Sequence, residues 1–209
     1  MYTEPGHPDA SQPLLGLVAR VLEDLGGEVI IHTRDDNLVR SRRDGDPGSA
    51  AYIVEAAGLP NLLHELVHVL QFGSLADDHG LDYSQIPYDL GDPAQRRHLW
   101  EELACCVVSC AYLEPAAEAP WFAEQVGIQG VFYGYESDTP GFLDVVDRTV
   151  AAHSEELEAV LADAYTEVER RLTHVGAGPL ARPRIRLQFA KMWTQFRAGA
   201  AGCTYLASP

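Results

Sequence analysis

Apolar positions along this chain follow two rhythms, and the rhythm changes near residue 60. After a polar, proline-containing start, Leu14, Leu15, Leu17, Val18, Val21, Leu22 and Leu25 recur at helical spacing, with Ser11 placed to cap that helix and Gly26-Gly27 to stop it. Short runs of β-forming residues follow. Glu28 to Thr33 reads as a strand, Arg34 to Asn37 as a turn, and Leu38 to Arg40 as a second strand. Arg42 to Gly48 reads as a polar loop and Ala51 to Glu55 as a third strand. Beyond residue 60 everything reads as helix and connection. Pro60 suits a first helical turn, and Gly73 lies just past the end of that helix. Residues 74–92 are a loop, and Asp92-Pro93 starts a helix that runs to about Leu113. Its second half is apolar on all sides apart from Ser109, as expected of a central, buried helix. Pro120 opens a short helix over Trp121 to Val126, and 127–138 reads as a Gly- and Tyr-rich loop. Phe142 to about His174 forms one helix of about 50 Å, or two that meet near Ser154. A last helix covers Arg184 to Arg197.

These elements predict an α+β fold in which a small, mainly antiparallel N-terminal sheet packs on a mostly helical body. A chain of 209 residues with 46% apolar content is long enough for one domain with one core. Within it, 1–113 supplies the sheet and two central helices, and 114–209 a helical lobe facing the substrate. The net charge of −16 argues against nucleic acid or an anionic membrane surface as partner. No run approaches the roughly 18 apolar residues of a membrane span, and the start has neither a basic nor an apolar leader region. Cys105, Cys106 and Cys110 lie in the apolar run with no C-x-x-C pair, so they read as packing residues. Without a disulfide framework or a leader, the expected location is the cytoplasm. Arg182, Arg184, Arg186 and Arg197 read as partners for the chain's own acids, and Glu155-Glu156-Leu157-Glu158 as a solvated helix face.

One stretch carries chemistry. In His64-Glu65-Leu66-Val67-His68 the two histidines lie four residues apart, on the same helix face, while Leu62, Leu63, Leu66, Val67 and Leu70 supply the buried side. That step brings two imidazoles to roughly 3 Å, the separation a divalent metal needs. Zinc chemistry then requires a third protein ligand and an open fourth position. Glu101-Glu102, at the head of the next buried helix, is the acidic pair available, and on an ideal helix either residue can face the histidines.

The pair of motifs, His64-Glu65-Leu66-Val67-His68 and then Glu101-Glu102-Leu103-Ala104, resembles the gluzincin group of zinc metallopeptidases over about residues 50–113. The resemblance implies a zincin-like fold with an active-site helix and a glutamate helix. It implies zinc held by His64, His68 and Glu101, because Glu101 with Ala104 matches the family's Glu-x-x-Ala/Ser spacing. It implies Glu65 as the general base that takes a proton from the metal-activated water and delivers it to the leaving group. It further implies that the strand at Ala51 to Glu55 lines the cleft and pairs with an extended substrate. A neutral or cationic donor usually completes such a site; His98, Tyr133, Tyr135 and His153 are the candidates, each with a stronger reading as an ordinary surface or packed residue. Many gluzincins carry an aspartate four residues after the ligand glutamate, which orients a ligand histidine. Here that place is Cys105, so the other glutamate or an aspartate of the 77–92 loop is expected to do so. The substrate is a peptide or amide. A non-peptide small molecule is the alternative, favoured by the missing leader, and a regulatory module with structural zinc is the second.

Overall fold

The computed structural model describes residues 11–32, 38–41, 52–72 and 86–199. The expected turn at 34–37, the loop at 42–48, Gly73 and most of the 74–92 loop lie outside them. Helix α1 (Ser11–Asp24) leads into β1 (Gly27–Ile31), β2 (Leu38–Ser41) and β3 (Tyr52–Ala56). Then come α2 (Leu59–Phe72), α3 (Pro93–Tyr112), α4 (Pro115–Phe132), α5 (Thr139–His174), a short 3-10 turn at Gly178–Ala181, and α6 (Phe189–Arg197). The class is α+β. No described helix is long and apolar enough to cross a membrane.

The sheet corrects one expectation, since it is mixed rather than mainly antiparallel. The strand order is β1-β3-β2. β1 pairs with β3 in parallel, from Gly27 opposite Tyr52 to Ile31 opposite Ala56, and β2 pairs with β3 antiparallel, from Leu38 opposite Glu55 to Ser41 opposite Tyr52. The cause is visible in β3, where Ile53, Val54, Glu55 and Ala56 are all buried, as a central strand covered on both faces requires. A second expectation falls with it. With β1 on one side and β2 on the other, β3 has no edge left along most of its length for an extended substrate; among the described residues the outer edges of β1 and β2 remain.

α3 is the axis of the molecule. From Leu99 to Tyr112 nearly every side chain is buried, and it packs on α2, α4, α5 and α6. Asp92 caps it, accepting from the Ala94 and Gln95 amides at 2.7 and 3.2 Å. Ser109, the one hydroxyl of the buried stretch, donates to the Cys105 carbonyl at 2.6 Å. Cys105, Cys106 and Cys110 are free and buried, as expected of packing thiols. One hydrophobic cluster runs from Leu14 of α1 to Trp193 of α6, so both halves of the chain share a core.

Two helices differ from their sequence reading. α4 continues through the expected 127–138 loop to Phe132, with Pro120 inside it. Its glycines cost about 1 kcal/mol each relative to alanine, but Phe122, Val126 and Gly130 keep a buried face running through them, with Phe142 packed over Gly130. α6 begins at Phe189, five residues later than expected. The backbone before it is pinned outside helical form: the Arg184 amide donates to the Ala111 carbonyl at 3.1 Å and the Leu187 amide to Tyr165 Oη at 3.0 Å. Arg184 also reaches the fully buried Glu118 at 2.8 Å, Arg186 reaches Glu169 at 2.7 Å, and Arg197 reaches Asp144 and Asp147 at 2.7 and 3.0 Å. The long helix α5 breaks at His153, with φ −136° and ψ 28°, one residue from the expected junction.

That break faces α3. Glu156 receives Arg96 Nε and Nη2 at 3.0 and 3.1 Å and Trp100 Nε1 at 3.1 Å. It is therefore more than a solvated face residue. The Arg96 hydrogen bond first, then that of Trp100, hold the Glu156 carboxyl down at about 2. A carboxyl depressed in the fold contributes stability that is present above its unfolded pKa, about 4.3, and lost as pH falls through about 2. Wild type should therefore denature in urea later than Glu156→Gln at pH 7, and the two midpoints should draw together by pH 2. A gap independent of pH would show that the carboxylate charge contributes nothing.

Candidate metal centre

α2 projects His64 and His68 inward from one face, with Nε2 atoms 3.0 Å apart. α3, packed beside it, brings a carboxylate to both: Glu102 Oε2 lies 3.3 Å from His64 Nε2 and Oε1 lies 3.1 Å from His68 Nε2. Depending on its tautomer, each imidazole turns either a proton or a lone pair toward the carboxylate's two oxygens. Such a trio repels itself unless a cation or protons sit among them. Zinc ligands at 2.0–2.2 Å in tetrahedral geometry stand about 3.3–3.6 Å from one another, so the group needs to open by only a few tenths of an ångström. Two imidazoles and a carboxylate are a donor set suited to zinc.

The carboxylate that faces the histidines is Glu102's; Glu101, the ligand expected from the motif spacing, faces elsewhere. Successive helix residues point about 100° apart, so only one of the pair can face α2. Glu101 is turned to Arg97, whose Nε donates to its Oε1 at 2.7 Å across one helical turn. Burial alone would raise the Glu102 carboxyl, but His68 and His64 together hold it well below the usual carboxylate range. Glu102 is thus the ionised partner of the histidines.

Glu65 is 2% exposed and lies within electrostatic reach of the same spot. Burial pushes its carboxyl up to about 8, with His68 opposing and the Glu102 charge adding. Cys105, one turn beyond Glu102, offers its sulfur within 4.8 Å of the histidine ligand atoms. Burial and the charges of Glu102, Glu65 and Glu101 push that thiol well above its ordinary value, so in the metal-free site it keeps its proton. Trp121 of α4 stands edge-on to His64, with ring centroids 6.2 Å apart and planes at 89°. Gln129 of α4 donates through Nε2 to Glu102 Oε2 at 3.0 Å. The sequence pattern ends that helix at Val126, which leaves Gln129 outside it.

Of the four candidate oxyanion donors, Tyr133 and His153 have polar partners elsewhere, and His98 and Tyr135 pack on aromatic rings. His98 stacks on Tyr88 with centroids 5.2 Å apart. Tyr133 donates its hydroxyl to the Gln95 carbonyl at 3.1 Å, and Tyr135 packs on Phe142. His153 pairs with Glu156 at 3.2 Å on the far side of α3 from the histidine pair. Nor does the spare glutamate orient a histidine: Glu101 is held by Arg97, and His64 Nδ1 has no hydrogen-bond partner among the described residues. The aspartates at 77–83 lie outside the described residues.

No family model matches the chain, and no curated protein and no solved structure matches it.

Proposed function

We propose that this chain is a zinc-dependent hydrolase of gluzincin type, with His64, His68 and Glu102 as ligands and Glu65 as the general base. The observation that carries the reading is the convergence of two imidazoles and one carboxylate, from two packed helices, within 3.0–3.3 Å. In a zincin-like arrangement α2 is the active-site helix and α3 the glutamate helix. A zinc ion held there would supply Lewis acidity, polarising a carbonyl and making water acidic near neutral pH. The chain's own residues do the rest. Glu102 balances the cation's charge, Glu65 accepts a proton from the attacking water and returns it to the leaving nitrogen, and Trp121 walls the His64 side. An extended peptide substrate would pair with an outer strand of the sheet, since β3 is covered on both sides.

A second reading, a small-molecule amide or ester, is favoured by a cavity of about 710 Å3 with largely aliphatic walls, among them Leu14, Leu59, Leu113 and Leu180. Pro60 and Ala117 also line it, each four residues before His64 and Trp121 on the same helix faces. That volume falls in the range of small-molecule sites.

Metal analysis with stripping and reloading tests the reading. Stoichiometric zinc is expected in the purified protein, with amide or ester hydrolysis that is lost on chelation and restored by zinc. A panel of peptide and small-molecule substrates then separates the two substrate classes. Protein that takes up no zinc beyond nonspecific levels, or activity indifferent to chelation, would sink the proposal. If Cys105 closed the site as a fourth ligand, cobalt substitution would show a thiolate charge-transfer band and no hydrolysis would follow.

A further inference from the structure

The inward face of α4 carries a buried row four residues apart: Trp121, Gln125 and Gln129. One end of the row stands against His64, and the other ends on Glu102. Gln129 is 4% exposed, and its Nε2 commits a hydrogen bond to Oε2, the Glu102 oxygen that faces His64. The other oxygen, Oε1, faces His68. A buried carboxamide pointed at a carboxylate donates a hydrogen bond without neutralising the charge, so Glu102 stays available to a cation. Arginine or lysine in its place would compete with the metal for the same oxygens.

We propose that Gln129 is a positioning residue that fixes the rotation of the Glu102 carboxylate, with Oε2 toward His64 and Oε1 toward His68. The inference rests on the metal-centre reading above. With Oε2 engaged by Gln129, turning the carboxylate away from the two imidazoles breaks a buried, charge-assisted hydrogen bond and leaves the amide without a partner. Outer-shell groups of this kind typically control metal affinity by 10–100-fold.

The test compares the wild type with Gln129→Leu, Gln129→Met and Gln125→Leu. Gln125 lies on the same row, one turn away and similarly buried, so it reports what loss of an α4 glutamine does to packing alone. Zinc affinity is read by competition with a chromophoric chelator, and coordination number by the visible absorption of the cobalt-loaded protein. Gln129→Leu is expected to bind zinc about 10–100-fold more weakly, with a cobalt band altered in position or intensity as the carboxylate turns. Gln129→Met, unbranched and close in length, should do the same if the leucine variant fails to fold. Gln125→Leu should match wild type in both readouts. The inference is overturned if both Gln129 variants keep wild-type affinity and spectrum, or if Gln125→Leu weakens zinc equally. If wild type itself takes up no zinc, the metal reading fails first and this inference with it.

Discussion

Glu102→Gln is expected to lower zinc affinity more than 100-fold, while Glu101→Gln leaves it within a factor of a few. Removing a ligand must cost more than the 10–100-fold that loss of an outer-shell partner typically costs. Glu102 is the carboxylate within 3.3 Å of both imidazole nitrogens. The Glu101 bond to Arg97 involves a guanidinium whose side chain is 48% exposed, and a pair of that kind is worth about 0–1 kcal/mol. Both substitutions keep side-chain shape, so folding does not separate them. Chelator competition on the two proteins side by side decides the matter. Should Glu101→Gln lose zinc and Glu102→Gln keep it, the family's spacing is right and the geometry described here is not that of the loaded site.

That contrast shows how far the sequence could be read. The two helices, the Asp92 cap of α3 and the histidine pair follow from Pro60, Asp92-Pro93 and the four-residue histidine step, because each is a local signal. The choice between Glu101 and Glu102 is a question of about 100° of helix rotation. α3 is apolar nearly all round its second half, so no polar face marks which way it is turned. One local clue did exist: Arg97 stands four residues before Glu101, the spacing at which a guanidinium claims a carboxylate and leaves its neighbour for other work. Gln129 was hidden for a different reason. Pro120, Gly127 and Gly130 interrupt helical propensity, and only packing against α3 and Phe142 carries α4 past them. The sheet order was likewise a tertiary outcome. β3 is central because it pairs with both β1 and β2, and nothing in the three short strand signals marks which of them lies in the middle.

Glu65→Gln is the variant with the largest expected effect on turnover. Its amide keeps the shape and burial of the glutamate but cannot accept a proton from water. General-base catalysis typically contributes 10²–10⁴-fold, so a loss of that order is expected at unchanged zinc content. The same substitution has a second signature in the metal-free protein. Burial raises the Glu65 carboxyl to about 8, so ionising it is harder in the folded chain than in the unfolded one. An acid whose pKa is raised by folding weakens the fold as pH climbs from its unfolded value, about 4.3, toward about 8. Metal-free Glu65→Gln should therefore melt above metal-free wild type at pH 8, and the difference should vanish near pH 4, where both side chains are neutral. Zinc should narrow the gap at pH 8, because a cation beside Glu65 favours its charged form. The two signatures are independent. Full activity in the zinc-loaded variant would remove Glu65 from the chemistry, whereas equal melting of the two metal-free proteins across this range would remove it from the buried, charge-sensitive position between His64 and His68.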